Sequence, residues 1–206
     1  MPAMNDTPAT VYLVDDDESV LSALSRLLTG YGYRCERYSS AEDFLSKHNP
    51  AAPGCVVLDV ELPGLNGFAL YDRLREMPPC RPAIFLTGRG TIAGSVNAMK
   101  SGAIDFLTKP VEADDLVNAV KAACQRDIDA RNAFARKKSV EERLASLTAR
   151  ELEVMTHVVT GRMNKQIAAD LGIVEKTVKV HRCRMMTKME VRTVADLVRI
   201  ITLHES

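Results

Sequence analysis

The stretch "VYLVDDDESVLSALSRLLTG", residues 11–30, decides how the front of the chain is read. Four mostly apolar residues, Val11 to Val14, run straight into Asp15, Asp16, Asp17 and Glu18. Val20, Leu21, Leu24, Leu27 and Leu28 then recur at helical spacing, and Gly30 is expected to stop the helix. An apolar run, an acidic turn and an amphipathic helix make one strand–helix unit. The charge needs its own account, because neighbouring carboxylates do not readily all stay ionised without a cationic partner. Asp17 and Glu18 read as residues that cap the helix and complement its dipole. Asp15 and Asp16 are left at the end of a strand.

The same alternation continues. "YRCERYSS" alternates weakly, "AEDFLSKH" is a short helix, and "CVVLDV" is an apolar strand. "GFALYDRLREM" is helical until "PPCRP" breaks it, "AIFLTG" is a strand, and "TIAGSVNAMKSG" is a helix ending at Gly102. "AIDFLTK" is a strand, and a last helix begins near Ala113. Apolar strands alternating with helices predict a parallel sheet covered on both faces. The expected fold over 10–125 is therefore α/β, a five-stranded parallel doubly wound (βα)5 domain.

Residues 126–146 are rich in charge and free of Pro and Gly, which predicts a helical linker. Residues 147–206 hold four helical patterns, "TARELEVMTHVVTG", "NKQIAADLG", "EKTVKVHRCRMMTKM" and "TVADLVRIITL". They predict an all-α, four-helix domain. Thr148 and Glu151 fit a capping box, and Gly161 and Gly172 stand where helices should end.

Composition separates the two parts. The 206 residues are 46% hydrophobic and 26% charged with zero formal net charge, ordinary for a globular protein. Residues 1–125 carry 11 Lys/Arg against 16 Asp/Glu, a net of −5, and residues 126–206 carry 16 against 11, a net of +5. An acidic domain followed by a basic one makes the second a candidate nucleic-acid binder. Two solvated surfaces differing by chance give the same count. Cys35, Cys55, Cys80, Cys124 and Cys183 are scattered without a C-x-x-C pair, so reduced thiols are expected rather than a disulfide framework or zinc site. No apolar run approaches the roughly 20 residues of a membrane span, and "MPAMNDTPAT" lacks the regions of a signal peptide. A cytoplasmic protein with no membrane partner is expected.

In open parallel sheets, ligands bind beyond the carboxyl ends of the strands. The first strand delivers Asp15 and Asp16 there, the third Asp59 ("VVLDVELPG"), the fourth Thr87 ("IFLTGRG") and the fifth Lys109 ("FLTKP"). Converging carboxylates suit a hard cation, Mg²⁺ being usual where carboxylates and a phosphate share it. An aspartate can itself attack phosphorus and form an acyl phosphate. Positioning and charge neutralisation then carry the transfer, which a lysine ammonium and a threonine hydroxyl supply. Taken singly, each of these residues also reads as a turn or surface residue.

In the basic part, a helix, a tight break at "LGIVE" and a second helix outline a helix-turn-helix. Val178, His181, Met185 and Met189 share one stripe, read as core, with His181 a hydrogen-bonded core histidine. Lys176, Lys179, Arg182 and, near them, Cys183 take the opposite side, where a DNA-binding helix meets groove and phosphates. A plain solvated face is the alternative.

Residues from Thr10 to Cys124 resemble a response-regulator receiver domain in "VDDDES", "LDVELPGLNG", "FLTGRG" and "AMKSGAIDFLTKP". Residues from Leu147 to about Leu203 are similar to the LuxR-type helix-turn-helix in "LTARELEVM", "RMNKQIAADLGIVEKTVKVHR" and "MTKMEVRTVADL". The whole chain thus resembles the FixJ/NarL family of two-component response regulators. That resemblance implies Asp59 as phospho-acceptor, and Mg²⁺ held by Asp15, Asp16, Asp59 and the backbone carbonyl of Glu61. Thr87 and Lys109 would bind the phosphoryl group, Phe106 would be the aromatic switch, and the Lys109–Pro110 bond would be cis. Lys179, Val180 and Cys183 would face base edges, and Lys165, Lys176, Thr177 and Arg182 would face phosphates. Val194, Leu197, Val198 and Ile201 would form a dimerisation helix, or equally finish the domain's own core.

The implied function is a transcription regulator rather than a turnover enzyme. A sensor histidine kinase phosphorylates Asp59, and this controls homodimerisation and binding to double-stranded promoter DNA. The Glu61 side chain and Arg89 are expected either to pair over the pocket or to be solvated. Two rival readings stay open: a small Mg²⁺-dependent phosphatase or phosphotransferase, and a regulator that works without phosphorylation.

Overall fold

Thr10–Val14 forms β1 with all five residues buried in the computed structural model, which describes residues 9–88 and 105–205. The expected helix at 91–102, and Arg89, lie outside the described residues. β2 (Arg34–Tyr38), β3 (Gly54–Asp59), β4 (Ala83–Thr87) and β5 (Asp105–Thr108) complete a parallel sheet in the order β2-β1-β3-β4-β5. This is the doubly wound order with β1 and β3 central, and it sets all carboxyl ends along one edge.

The strands read as apolar runs because successive side chains enter different cores. Tyr12, Val14, Val56, Leu58 and Phe85 pack on one face with Phe44 of α2 (Ala41–Lys47) and Leu70, Tyr71 and Leu74 of α3 (Gly67–Arg75). Val11, Leu13, Cys55, Val57, Ile84 and Leu86 pack on the other face. There they meet Leu21, Leu24 and Leu28 of α1 (Glu18–Gly30) and Leu116, Ala119 and Val120 of α4 (Ala113–Ala145). The outer strand β2 is different. Arg34 and Glu36 pair along it at 3.2 Å, and Arg37 reaches Glu18 of α1 at 2.9 Å.

Local side chains start the helices. Asp17 caps α1, its Oδ1 accepting from the Ser19 and Val20 backbone, while Ser40 and Asn66 cap α2 and α3. α1 ends at Gly30, as expected. The left-handed turn falls two residues later at Gly32 (φ 90°).

The 33-residue α4 runs continuously through the segment expected to be a helical linker. The chain divides into two compact units, one ending at Asn132 and one beginning at Ala133. Within the first unit, α4 carries a buried charge cluster. The Asp127 carboxylate accepts from the Gly54 backbone N–H at 2.8 Å and from Arg131 Nε at 2.6 Å. Arg131 also donates to the Pro50 and Ala51 carbonyls at 3.0 Å each. Beside it the buried Arg81 donates to the Asn49 and Ala52 carbonyls, and its guanidinium lies 4.4 Å from the centre of the Tyr12 ring. Burial pulls the Arg81 pKa down, opposed by Tyr12 and Asp127.

The second unit holds α5 (Ala149–Val159), α6 (Asn164–Leu171), α7 (Glu175–Lys188) and α8 (Val194–Glu205). Val154, Val158, Ile167, Val178, Met185, Met189 and Leu197 are buried together, with Leu144 and Leu147 against them. Val194 and Ile201 are partly buried against this core. Gly172 caps α6 in the left-handed conformation (φ 64°) and makes the break before α7. His181 departs from its expected bonding. It is half-buried, but its Nδ1 is buried without a hydrogen-bond partner.

Thr148 and Glu151 form the capping box of α5, and Lys188 Nζ lies 2.7 Å from the same Glu151 carboxylate. The Lys188 hydrogen bond, then that from the Thr148 backbone, hold the Glu151 pKa down at about 2. A depressed folded pKa gives stability that is present above the unfolded value and lost as pH falls toward the folded one. Glu151→Gln should therefore destabilise the second unit at neutral pH. Urea melts should show wild type and variant converging as pH falls from about 4.5 toward about 2.

α6 and α7 begin at apolar residues, Met163 and Val174, neither of which makes a side-chain cap. Val174 is 68% exposed, so replacing it loses little burial. Val174→Ser should stabilise the second unit by about 1 kcal/mol, read as a higher urea midpoint.

Candidate functional site

The sheet brings the sequence-predicted acidic residues together. Asp15 follows β1, Asp59 ends β3, and the carboxylates of Asp15, Asp16 and Asp59 each place an oxygen within 4.8 Å of the others. Asp15 and Asp59 are buried and Asp16 is exposed. Asp15 is fixed from the backbone: its N–H donates to the Tyr38 carbonyl at 3.2 Å, and its Oδ1 accepts from the Asp17 N–H at 3.0 Å. Asp17 turns away to cap α1, so the acidic run divides between two tasks.

Lys109 reaches into this cluster from the end of β5. Its Nζ lies 2.6 Å from Asp15 Oδ2 and 3.3 Å from Asp59 Oδ1. Burial raises the Asp15 pKa, against the lowering effect of the Lys109 hydrogen bond. Burial also works against the Lys109 ammonium, but Asp15 and Asp59 outweigh it and its pKa is raised. Lys109 serves as the counter-charge to the two buried carboxylates. The Lys109 N–H donates to the Thr87 carbonyl at 2.7 Å, which ties β5's exit to the buried Thr87. The Lys109–Pro110 bond is cis, as is Pro78–Pro79.

Other expected residues fall at different distances from this pocket. Glu61 is exposed two residues after Asp59. Phe106, on β5, is half-buried with its ring 6.5 Å from that of Phe85. One contributor escaped the sequence reading. Gly67 opens α3 against the backbone of Asp59, and a Cβ there would sit 2.3 Å from the Asp59 carbonyl oxygen. The quoted "LPGLNG" contains it, but nothing in the string says which glycine touches the strand.

In the second unit, the outward side of α7 presents Lys176, Lys179, Val180 and Cys183, all exposed, and Lys165 of α6 is exposed too. Lys179 pairs with Glu175 at 3.1 Å. Arg182 lies nearer the packed side than expected: it is half-buried, and its Nη1 donates to Asn164 Oδ1 at 2.9 Å. Thr177 is also half-buried. Among the described residues no helix is long and apolar enough to cross a membrane.

A carboxylate pocket on a parallel sheet, followed by a helix-turn-helix unit with a cationic face, marks a two-part regulator of the receiver–effector type. Residues 11–121 match the family described as response regulator receiver domain, and residues 145–201 match bacterial regulatory proteins of the luxR family. The chain belongs to the two-component response regulators, and its relatives are of the FixJ and TodT type. It is 41% identical over 197 residues to response regulator protein TodT of Pseudomonas putida, covering 96% of this chain and 87% of that one. It is 36% identical over 194 residues to transcriptional regulatory protein FixJ of Bradyrhizobium diazoefficiens, covering 94% and 95%.

Two solved structures extend the likeness. Response regulator StyR matches with TM-score 0.88 at 41% identity, covering 95% of this chain and 98% of that one. Full-length FixJ from B. japonicum matches with TM-score 0.58 at 35% identity, covering 97% and 98%. Membership implies a histidine kinase partner, DNA binding and transcription regulation, rather than multiple turnover as an enzyme.

Proposed function

We propose that Asp59 accepts a phosphoryl group from a sensor histidine kinase, and that this controls pairing of the chain and its binding to double-stranded promoter DNA in the cytoplasm. The observation that carries this reading is the convergence of Asp15, Asp16 and Asp59 within 4.8 Å of one another, with Lys109 against two of them. The donor set is all-oxygen and anionic, and it fits Mg²⁺. Asp15, Asp16, Asp59 and the Glu61 backbone carbonyl would hold the ion, which supplies charge neutralisation at the phosphoryl oxygens.

The chain's own groups do the rest. A free Asp59 carboxylate oxygen attacks phosphorus, and the phosphohistidine nitrogen leaves. The Lys109 ammonium passes from the carboxylates to the new phosphoryl oxygens, and the Thr87 hydroxyl donates to another. Phe106 follows that movement, which changes the surface around β5. In the effector unit, Lys179, Val180 and Cys183 would meet base edges, while Lys165, Lys176, Thr177 and the remaining donors of Arg182 meet phosphates. Pairing of two chains then raises the effective concentration of the second effector unit at adjacent half-sites.

One of the related structures is the BeF3-activated DrrB receiver domain, 30% identical with TM-score 0.52 over 57% of this chain. The same reagent gives the test. Beryllofluoride with Mg²⁺ should tighten footprints on genomic promoter fragments for wild type and leave Asp59→Asn unchanged. An Asp59→Asn chain that responds equally sinks the proposal. Lys109 yields a separate expectation. Because its ammonium competes with a cation for Asp15 and Asp59, Lys109→Gln should tighten Mg²⁺ binding roughly tenfold, equivalent to about 1.4 kcal/mol. Calorimetric titration with Mg²⁺ measures this.

A further inference from the structure

Cys55 and Cys124 meet inside the first unit, on the sheet face away from α2 and α3, where the phosphoryl chemistry has no use for them. Cys55 lies on β3 and is fully buried, and Cys124 lies on α4 at 7% exposure. Their sulfurs are 3.8 Å apart and hydrogen-bonded. Both are free thiols. Two thiols in contact, brought from elements 69 residues apart, need only a modest approach to reach the roughly 2.05 Å of a disulfide bond.

We propose that Cys55 and Cys124 form a peroxide-sensitive dithiol, a modification site that closes to an internal disulfide joining β3 to α4. The partners have distinct roles. Cys124 is the less buried of the two, and the hydrogen bond between them lowers its pKa and raises that of Cys55. The Cys124 thiolate attacks one oxygen of hydrogen peroxide, an S–O bond forms, the O–O bond breaks, and hydroxide leaves. The resulting sulfenic acid faces Cys55 directly. The Cys55 sulfur attacks the Cys124 sulfur, the S–S bond forms, and the sulfenic oxygen leaves as water with the Cys55 proton. In sum, two thiols and one peroxide give one disulfide and two waters.

Geometry also protects the pair from further oxidation. The sulfenic acid has its resolving thiol in contact, so closure competes well with a second peroxide. The product ties the strand that ends in Asp59 to the helix that leaves the first unit. The site is separate from the acidic cluster and stands whether or not Asp59 is phosphorylated.

The test uses the full-length chain with Cys35, Cys80 and Cys183 replaced by Ser, treated with hydrogen peroxide under native conditions. Remaining thiols are alkylated after unfolding, and peptides are mapped without reductant. The expected result is a linked Cys55–Cys124 peptide pair lighter by two hydrogens, restored to two alkylatable thiols by dithiothreitol, and a higher urea midpoint for the oxidised chain. A further Cys55→Ser change should leave Cys124 as a sulfenic acid trapped by dimedone. Should that variant fold poorly, the linked pair and the urea shift decide alone. Recovery of both cysteines as alkylated thiols, at peroxide doses that oxidise Cys183 in wild type, overturns the proposal. So does Cys124 sulfinic acid beside a reduced Cys55.

Discussion

Replacing Asp127 with Ala should cost the first unit about 3–5 kcal/mol, because removing one partner of a buried ion pair strands the other. Asp127 is fully buried and accepts from both Gly54 and Arg131. Without it the Gly54 N–H loses its acceptor at the start of β3. Arg131 keeps its two carbonyl acceptors but no carboxylate, and Arg81 loses its opposing charge next to Tyr12. Asp127→Asn retains an acceptor without the charge and should lose less. Native-state hydrogen exchange of the β1 and β3 amides measures both, and it reports the first unit without contribution from the second. A loss below about 1 kcal/mol for Asp127→Ala would mean that water replaces the carboxylate.

Gly67→Ala should damage the proposed phosphoryl site more than the fold. The added Cβ lies 2.3 Å from the Asp59 carbonyl oxygen and 3.1 Å from its carbonyl carbon, and both are backbone atoms that cannot rotate aside. Either α3 or the end of β3 must shift, at a cost on the order of 1–3 kcal/mol for overpacking. The same shift moves Asp59 relative to Asp15 and Lys109. Displacement of a reacting group by about 1 Å can slow its reaction roughly a hundredfold. Phosphoryl uptake from acetyl phosphate should fall on that scale while the chain stays folded. Gly30→Ala is the control: a Cβ there meets nothing within 4 Å, and it should leave uptake unchanged.

Much of this was legible in the sequence, for a physical reason. Strands buried on both faces must be apolar throughout, so "VYLV", "CVVLD" and "AIFLT" stand out as runs, and the residues that end them fall at one edge of a parallel sheet. The capping box at Thr148 and Glu151 and the stop at Gly172 are local, so they survive without tertiary knowledge. What escaped depends on contacts far apart in the chain. Asp127 looks like one more charge in a charged helix, because its partner Gly54 is 73 residues away. Arg182 faces outward on a plain reading of helical angles, yet Asn164 of the neighbouring helix draws it inward. At the end of α1, only the folded chain shows that the left-handed turn falls at Gly32, two residues past the last helical residue.

The charges on β2 bear on how copies of the receiver unit can meet. β2 is an outer strand of the sheet, and such a strand offers unpaired backbone groups to any passing chain. Here Arg34 and Glu36 pair along the strand, and Arg37 pairs with Glu18 of α1. A second sheet docking on this strand would have to strip water from those charges and break their pairs. Strand addition, a route from a free sheet edge to runaway aggregation, is thereby discouraged.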